Sequence, residues 1–177
     1  MSALVAVCAW IGKYAQQIKI CFAIIAAIWI LVEYTGKQQE ARVEHSLDYV
    51  KQLSEGELLA ADIRLTQFWV KKSTVQKLES LPKGDKKAYA DFLIDSVDSS
   101  LTAEVWQLFN FFKNLSICVN TRICDAATAC TRFRRDIEAF LQSYEPYFER
   151  YKSIFHDDAF EPIRKMLSDE ACKSSSQ

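Results

Sequence analysis

The stretch VWQLFNFFKNLSICV, residues 105–119, is the most apolar part of the chain beyond its N-terminal region. Its apolar side chains cover most of a helical surface, so it predicts a helix at the centre of a helical core. The amides Gln107, Asn110 and Asn114 are spaced by three and four residues and therefore share one narrow face. This face has two interpretations: a buried polar strip that recognises a partner helix or fixes register, or a thin seam that faces solvent.

The sequence on both sides of this stretch predicts further helices. The expected helices cover residues 38–53, 57–78, 86–97, 125–144 and the region from Asp157 or Asp158 to about residue 169. Only four glycines and three prolines occur, and this scarcity favours helices over hairpins. The predicted fold class is all-α, with an antiparallel multi-helix domain.

Short signals predict where these helices begin and end. LPKGD, residues 81–85, predicts a turn. Ser100 or Thr102 is expected to cap the central helix. Pro146 is expected to mark a break or the first turn of a new helix. After Pro146, aromatic residues such as Tyr151 recur at helical intervals, which is more typical of a core than of a ligand cage.

A second informative stretch, IKICFAIIAAIWILVEY, occupies residues 18–34. Its 17 residues would span about 26 Å as a helix, close to the roughly 30 Å of a bilayer core. Trp29 and Tyr34 lie toward one end, as aromatic residues do at a membrane interface. The stretch therefore predicts an N-terminal transmembrane helix, although its apolar core is short enough for the central helix of a soluble bundle. Residues 4–18 predict either an interfacial helix or a continuation of the anchor.

The predicted domain organisation follows from this anchor. Residues 1–36 form the membrane anchor, residues 37–170 a cytoplasmic helical domain, and residues 171–177 a disordered tail. Slightly more positive charge follows the span than precedes it, which weakly favours a cytoplasmic C-terminal side. The expected location is the cell (inner) membrane, with a single pass.

The six cysteines do not suggest a disulfide framework. Two of them, Cys8 and Cys21, lie in or beside the apolar stretch. Cys118, Cys124 and Cys130 are spaced by six residues, unlike the shorter gaps of zinc hooks. Buried free thiols in a reducing compartment are the expected state, with no metal and no cofactor.

Composition and motifs argue against two further classes of function. The formal charge of −1 and the pI of about 6.1 disfavour nucleic-acid binding. His45 and His156 have no recognisable catalytic partner, and the chain contains no nucleophile elbow, HExxH pair or phosphate loop. An enzyme is not expected, unless a site assembles only in the folded chain.

Two groups of basic residues predict a contact with anionic lipid head groups. They surround the LPKGD turn and recur on the helix over residues 125–144: Lys71, Lys72, Lys83, Lys86, Lys87, Arg132, Arg134 and Arg135. Acidic residues are interspersed, so an ordinary solvated helix surface is the competing interpretation.

Four strings resemble a family of small bacterial membrane-anchored proteins of unknown function. They are LFNFF at residues 108–112, NTRICD at 120–125, AFLQSYEPYFERY at 139–151 and DAFEPIRKML at 158–167. The resemblance implies a membrane address and a helical cytoplasmic domain, but no reaction. Lys113 and Arg122 stand where such proteins tend to carry an acid and a glycine, so a role for that acid is not expected here.

These observations predict a single-pass membrane protein that acts by contacting other proteins. Gln107, Asn110 and Asn114 are the candidate contact residues. The partner is a protein of unknown identity, and self-association is a reasonable extension. The alternatives are an enzyme whose site forms only in the fold and a lipid-surface binding module.

Overall fold

The predicted all-α class is confirmed for the residues that the structure describes. This computed structural model describes the backbone of residues 2–150 and 160–174, and the side chains of residue 20 and residues 22–150, 160–170 and 172–173. The helices are α1 (Ser2–Ser54), α2 (Gly56–Val70), α3 (Lys72–Ser80), α4 (Lys86–Ser96), α5 (Thr102–Asn120), α6 (Ala126–Arg150), α7 (Glu161–Ser168) and α8 (Glu170–Ser174). A π-helical turn, Val97–Leu101, joins α4 to α5. The expected helix start at Asp157 or Asp158, and Tyr151, lie outside the described residues.

The chain divides into two units, Met1–Ala41 and Arg42–Gln177, so the boundary falls slightly later than the predicted end of the anchor. In the first unit, every described large apolar side chain from Ile20 to Tyr34 is exposed. Phe22 is 68% exposed and Trp29 is 72% exposed. Among the residues whose side chains are described, no helix is both long enough and apolar enough to cross a membrane.

The core of the second unit is built around α5, as its sequence predicts. The buried side chains of α5 are Glu104, Val105, Leu108, Phe109, Phe111, Phe112, Leu115, Ser116 and Val119. This helix packs against α2, α6 and α7. The next helix, α6, contributes a second buried face, on which Ala129, Phe133, Ile137, Phe140 and Tyr144 are buried and Leu141 is half-buried. The buried faces of α5 and α6 therefore enclose one apolar core.

The side chain of Phe148 lies among other aromatic side chains within this core, four of which are close to it. The Phe148 ring centroid is 4.5 Å from that of Phe109 and 5.0 Å from that of Trp106. It is 5.2 Å from Phe160 and 5.3 Å from Tyr147. Three of these four pairs are edge-to-face, an arrangement that the aromatic quadrupole favours.

Two predicted helix boundaries and one predicted helix cap were wrong. The helix expected over residues 57–78 is interrupted at Lys71, whose extended backbone (ψ 128°) separates α2 from α3. By contrast, α6 continues through Pro146. Neither Ser100 nor Thr102 caps α5; their hydroxyls donate to the carbonyls of Ser96 and Val97. The turn at LPKGD is confirmed, with Asp85 accepting hydrogen bonds of 3.0 Å from the backbone N–H groups of Lys87 and Ala88.

The turn after α5 uses a residue type that rarely adopts its backbone conformation. Arg122 has φ 61°, in the left-handed region where helix-ending glycine is usual. Its N–H donates to the carbonyl of Val119 at 2.9 Å, and the N–H of Ile123 donates to that of Cys118 at 3.0 Å. The chain thus turns without glycine, at a backbone cost that glycine would not incur.

The expectation of free thiols was wrong for the second unit. Cys118 is bonded to Cys124, and Cys130 is bonded to Cys172. The fold brings α8 against α6, which a count of residues between cysteines cannot indicate. Cys172 is fully buried, so the predicted disordered tail does not begin at residue 171.

Candidate functional site

The three predicted contact residues lie together on one exposed groove. Gln107, Asn110 and Asn114 line a cavity of about 320 Å³ that also includes Tyr49, Gln52, Glu57, Leu58 and Phe111. An adjoining cavity of about 470 Å³ shares Tyr49, Gln52 and Asn114, and adds His45, Asp48, Ile117, Cys118, Thr121 and Ile123. We call these two joined cavities the amide groove. It runs between the end of α1 and the outer face of α5.

The side chains of the amide groove combine hydrogen-bonding and apolar groups. Gln107, Asn110 and Asn114 are exposed, in agreement with the interpretation that they face solvent. Each primary amide offers both donors and an acceptor. Ile117 is 42% exposed and Ile123 is 54% exposed, although both are strongly apolar. The groove therefore offers polar contacts beside uncovered apolar surface.

Contacts within the second unit fix the two walls of this groove. The Tyr49 ring packs against Phe111 with centroids 5.7 Å apart. Burial raises the pKa of the Tyr49 phenol above its ordinary value of 10.0. Further along α1, the fully buried Ser46 Oγ accepts a 2.9 Å hydrogen bond from the backbone N–H of Asp125. Asp125 in turn caps α6 by accepting from Thr128 N at 2.8 Å.

A second concave site, which the sequence analysis missed, combines acidic and aromatic side chains. Its cavity of about 250 Å³ lies between α2 and α6. Asp62, Asp136, Trp69 and Tyr144 are among its lining residues, and we call it the acid–aromatic pocket. Trp69 Nε1 donates a 2.7 Å hydrogen bond to Tyr144 Oη. Asp136, Phe140 and Tyr144 recur every four residues, which could have indicated their shared face, but nothing local pairs Asp136 with Asp62.

The electrostatics of this pocket follow from burial and like charge. Burial raises the pKa of the Asp136 carboxyl, and the negative charge of Asp62 raises it further. Burial also raises the pKa of Tyr144 to about 12, although the hydrogen bond from Trp69 acts in the opposite direction. Asp62 and Asp136 are both exposed, and they line this pocket together with the aromatic side chains of Trp69 and Tyr144.

The basic residues predicted to contact lipid do not form one site. Lys83 and Lys86 line an apolar cavity of about 690 Å³ at the turn between α3 and α4, with Leu78, Leu81, Pro82, Tyr89 and Pro146 among its walls. Lys71, Lys72, Lys87, Arg132 and Arg135 are exposed elsewhere. Arg134 is engaged internally, because its guanidinium donates to Glu138 at 2.8 Å and to the Cys172 carbonyl at 2.6 Å.

Comparison with family models, curated proteins and solved structures found no match to this chain. The resemblance to small bacterial membrane-anchored proteins therefore stays a prediction from the sequence strings. Within the described residues, no group of three histidine, cysteine or acidic side chains could hold a metal ion.

Proposed function

We propose that this chain is a single-pass membrane protein in which a transmembrane helix precedes an antiparallel multi-helix domain that binds another protein. The observation that carries the binding role is the convergence of Gln107, Asn110 and Asn114 on the amide groove. Gln107, Asn110 and Asn114 share one face of α5 and line the groove together with side chains of α1. The two helices therefore form one continuous surface.

Exposure of the first unit supports membrane anchoring. The apolar side chains of residues 22–32 point in every direction around α1, and all the large ones are exposed. A helix that is apolar all round is expected to be covered by protein or by lipid. The proposed span uses residues 18–34, and several of its side chains lie outside the described set.

The chemistry of the amide groove indicates the kind of protein segment that it would bind. Amides pair best with groups that can both donate and accept, such as backbone or other amide groups. Ile117 and Ile123 would cover one or two apolar side chains of the same segment. We propose a helical or extended segment with a mixed polar and apolar face; a second copy of this chain is one such partner.

Crosslinked co-purification from native membranes tests this role. The full chain is compared with an Asn110→Ala/Asn114→Ala variant and with Gln76→Ala, an exposed amide of α3 that serves as the matched control. We expect a stoichiometric partner with the full chain and the control, and its loss in the double variant. Equal recovery by all three proteins would rule out the amide groove as the binding surface.

The acid–aromatic pocket supports a second candidate function, the binding of a small organic cation. Asp62 and Asp136 would supply charge, and Trp69 would supply a cation–π contact. This pocket is also where an enzyme assembled only in the fold would be sought, although we propose no reaction. Thermal-shift measurements with alkylammonium compounds should show stabilisation that Asp136→Asn reduces; unchanged midpoints would exclude this function.

A further inference from the structure

The cysteines of the second unit form two closed pairs with none left over. Cys118 and Cys124 have Cα atoms 5.2 Å apart, and Cys130 and Cys172 have Cα atoms 5.1 Å apart. Both separations lie within the roughly 4.4–6.8 Å that disulfides bridge. The remaining cysteines of the chain, Cys8 and Cys21, belong to the first unit.

The two pairs close different parts of the fold. Cys118–Cys124 spans the turn after α5, in which the N–H groups of Ile123 and Cys124 both donate to the carbonyl of Cys118. Cys130–Cys172 joins α6 to α8 across 42 positions of sequence. The carbonyl of Cys172 also accepts a 2.6 Å hydrogen bond from Arg134. The hydrogen bond from Arg134 therefore positions the same backbone that the Cys130–Cys172 disulfide fixes.

We propose that the second unit is a doubly cross-linked domain that folds and works in an oxidising compartment outside the cytosol. Structural disulfides persist in such compartments and are rare in the cytosol, where thiol reductants keep cysteines reduced. If the first unit spans a membrane, the chain then has its C-terminal unit on the non-cytosolic side. This orientation is opposite to the one that the slight excess of positive charge after the span predicted.

The chemistry requires an oxidant of defined class. For each pair, one cysteine thiolate attacks the disulfide of a thiol-oxidising protein, and a mixed disulfide forms as one donor sulfur leaves. The thiolate of the second cysteine of the pair then attacks the sulfur of the first cysteine. This attack displaces the remaining sulfur of the thiol-oxidising protein. Two thiols have lost two protons and two electrons, and the donor has become a dithiol. In the chain-entropy description, the 42-residue connection restricts the unfolded chain more than the six-residue one.

Thiol trapping in a full-length Cys8→Ser/Cys21→Ser variant tests the pairing. Cells are quenched in acid, and the denatured protein is treated with a polyethylene-glycol maleimide before or after reduction. We expect no adduct before reduction and four after it, because the four remaining cysteines are paired. Adding Cys118→Ser should expose one thiol, that of Cys124. If the double-serine variant does not accumulate, the natural chain should gain four additional adducts on reduction.

The compartment is tested with a C-terminal epitope and a protease added to sealed membrane vesicles whose non-cytosolic face is outward. Loss of the epitope from these vesicles, together with oxidised pairs, supports the proposal. Four adducts before reduction would overturn it, and so would oxidised pairs with an epitope that stays protected until the vesicles are opened with detergent. The inference does not depend on the proposed anchor, because a secreted domain without an anchor would give the same thiol result. Failure of membrane insertion is therefore distinguishable from failure of this inference.

Discussion

Ser46 and Asp125 are 79 positions apart in the sequence, yet the Ser46 hydroxyl accepts the backbone N–H of Asp125 at 2.9 Å. The same hydroxyl lies 3.0 Å from the carbonyl of Arg42, to which it donates. Asp125 N–H also reaches the Arg42 carbonyl at 3.1 Å. A buried serine therefore connects the last part of α1 to the residue that caps α6, and this connection sets one wall of the amide groove.

Replacing Ser46 with alanine should destabilise the second unit. The change removes a buried hydroxyl while the Asp125 N–H keeps its contact with the Arg42 carbonyl, so we expect a loss of about 1–2 kcal/mol in the free energy of unfolding. Urea titration of the full chain in detergent, followed by circular dichroism, measures this loss. Ser54→Ala is the matched control, because the Ser54 hydroxyl donates to Lys51 on the exposed surface at 3.0 Å. Equal effects of the two changes would contradict the role of Ser46.

Replacing Arg122 with glycine should stabilise the protein. The residue has φ 61° and an exposed side chain, so glycine removes the left-handed strain and loses few contacts. Allowing for the greater freedom of glycine in the unfolded chain, we expect a gain of about 0.5–1 kcal/mol. Thermal unfolding gives the measurement, and Arg122→Ala, which keeps the strain, should give no gain. A lower midpoint for the glycine variant would show that the arginine side chain stabilises this turn.

Alkaline pH should weaken the fold through Tyr144. The unfolded tyrosine ionises near 10.0, whereas the folded one ionises at about 12. Between these values the folded state holds a proton that the unfolded state has lost, so stability falls as pH rises, by up to about 1.4 kcal/mol per pH unit. Urea titrations from pH 9 to 12 should show this slope, in addition to the smaller contributions of Tyr49 and Tyr89, whose pKa values burial also raises. Tyr144→Phe should flatten the curve; an unchanged slope would assign the pH dependence to other groups.

Charges placed in the first unit should prevent membrane insertion. Ile25 is 61% exposed and Ile28 is 55% exposed, and their spacing puts them on one side of the helix. An arginine near the centre of a span costs about 2.5–3.5 kcal/mol on insertion scales, so Ile25→Arg/Ile28→Arg should move the protein out of carbonate-washed membranes. The corresponding double leucine variant should remain in the pellet. Retention of the arginine variant would contradict anchoring by residues 18–34.

The sequence predicted the features of the fold that local periodicity carries. The apolar faces of α5 and α6 repeat every three to four residues, so their burial could be inferred without knowing their neighbours. The interruption at Lys71 could not be, because no glycine, proline or capping side chain marks it. Pro146 caused the opposite error. Proline usually interrupts a helix, but here it lies within α6.

In the candidate sites, too, some relationships between residues are visible in the sequence and others depend on the packing of helices. Gln107, Asn110 and Asn114 share a face because of their spacing, and that relationship is visible in the sequence. The side chains opposite them, such as Tyr49, come from a helix more than fifty residues away. The same is true of Asp62 opposite Asp136, and Cys130 and Cys172 are 42 positions apart. Each of these pairs depends on which helices pack together, and no short-range pattern specifies that choice.

The position of Phe148 among Phe109, Trp106, Phe160 and Tyr147 has a practical consequence for any study of variants. Rings held in such a fixed, asymmetric arrangement give circular dichroism in the near ultraviolet, whereas the helices dominate the far ultraviolet. A state that keeps its helices but loses its packing would lose only the first signal. This cluster therefore supplies an internal spectroscopic marker that separates loosening of the core from unfolding of the helices.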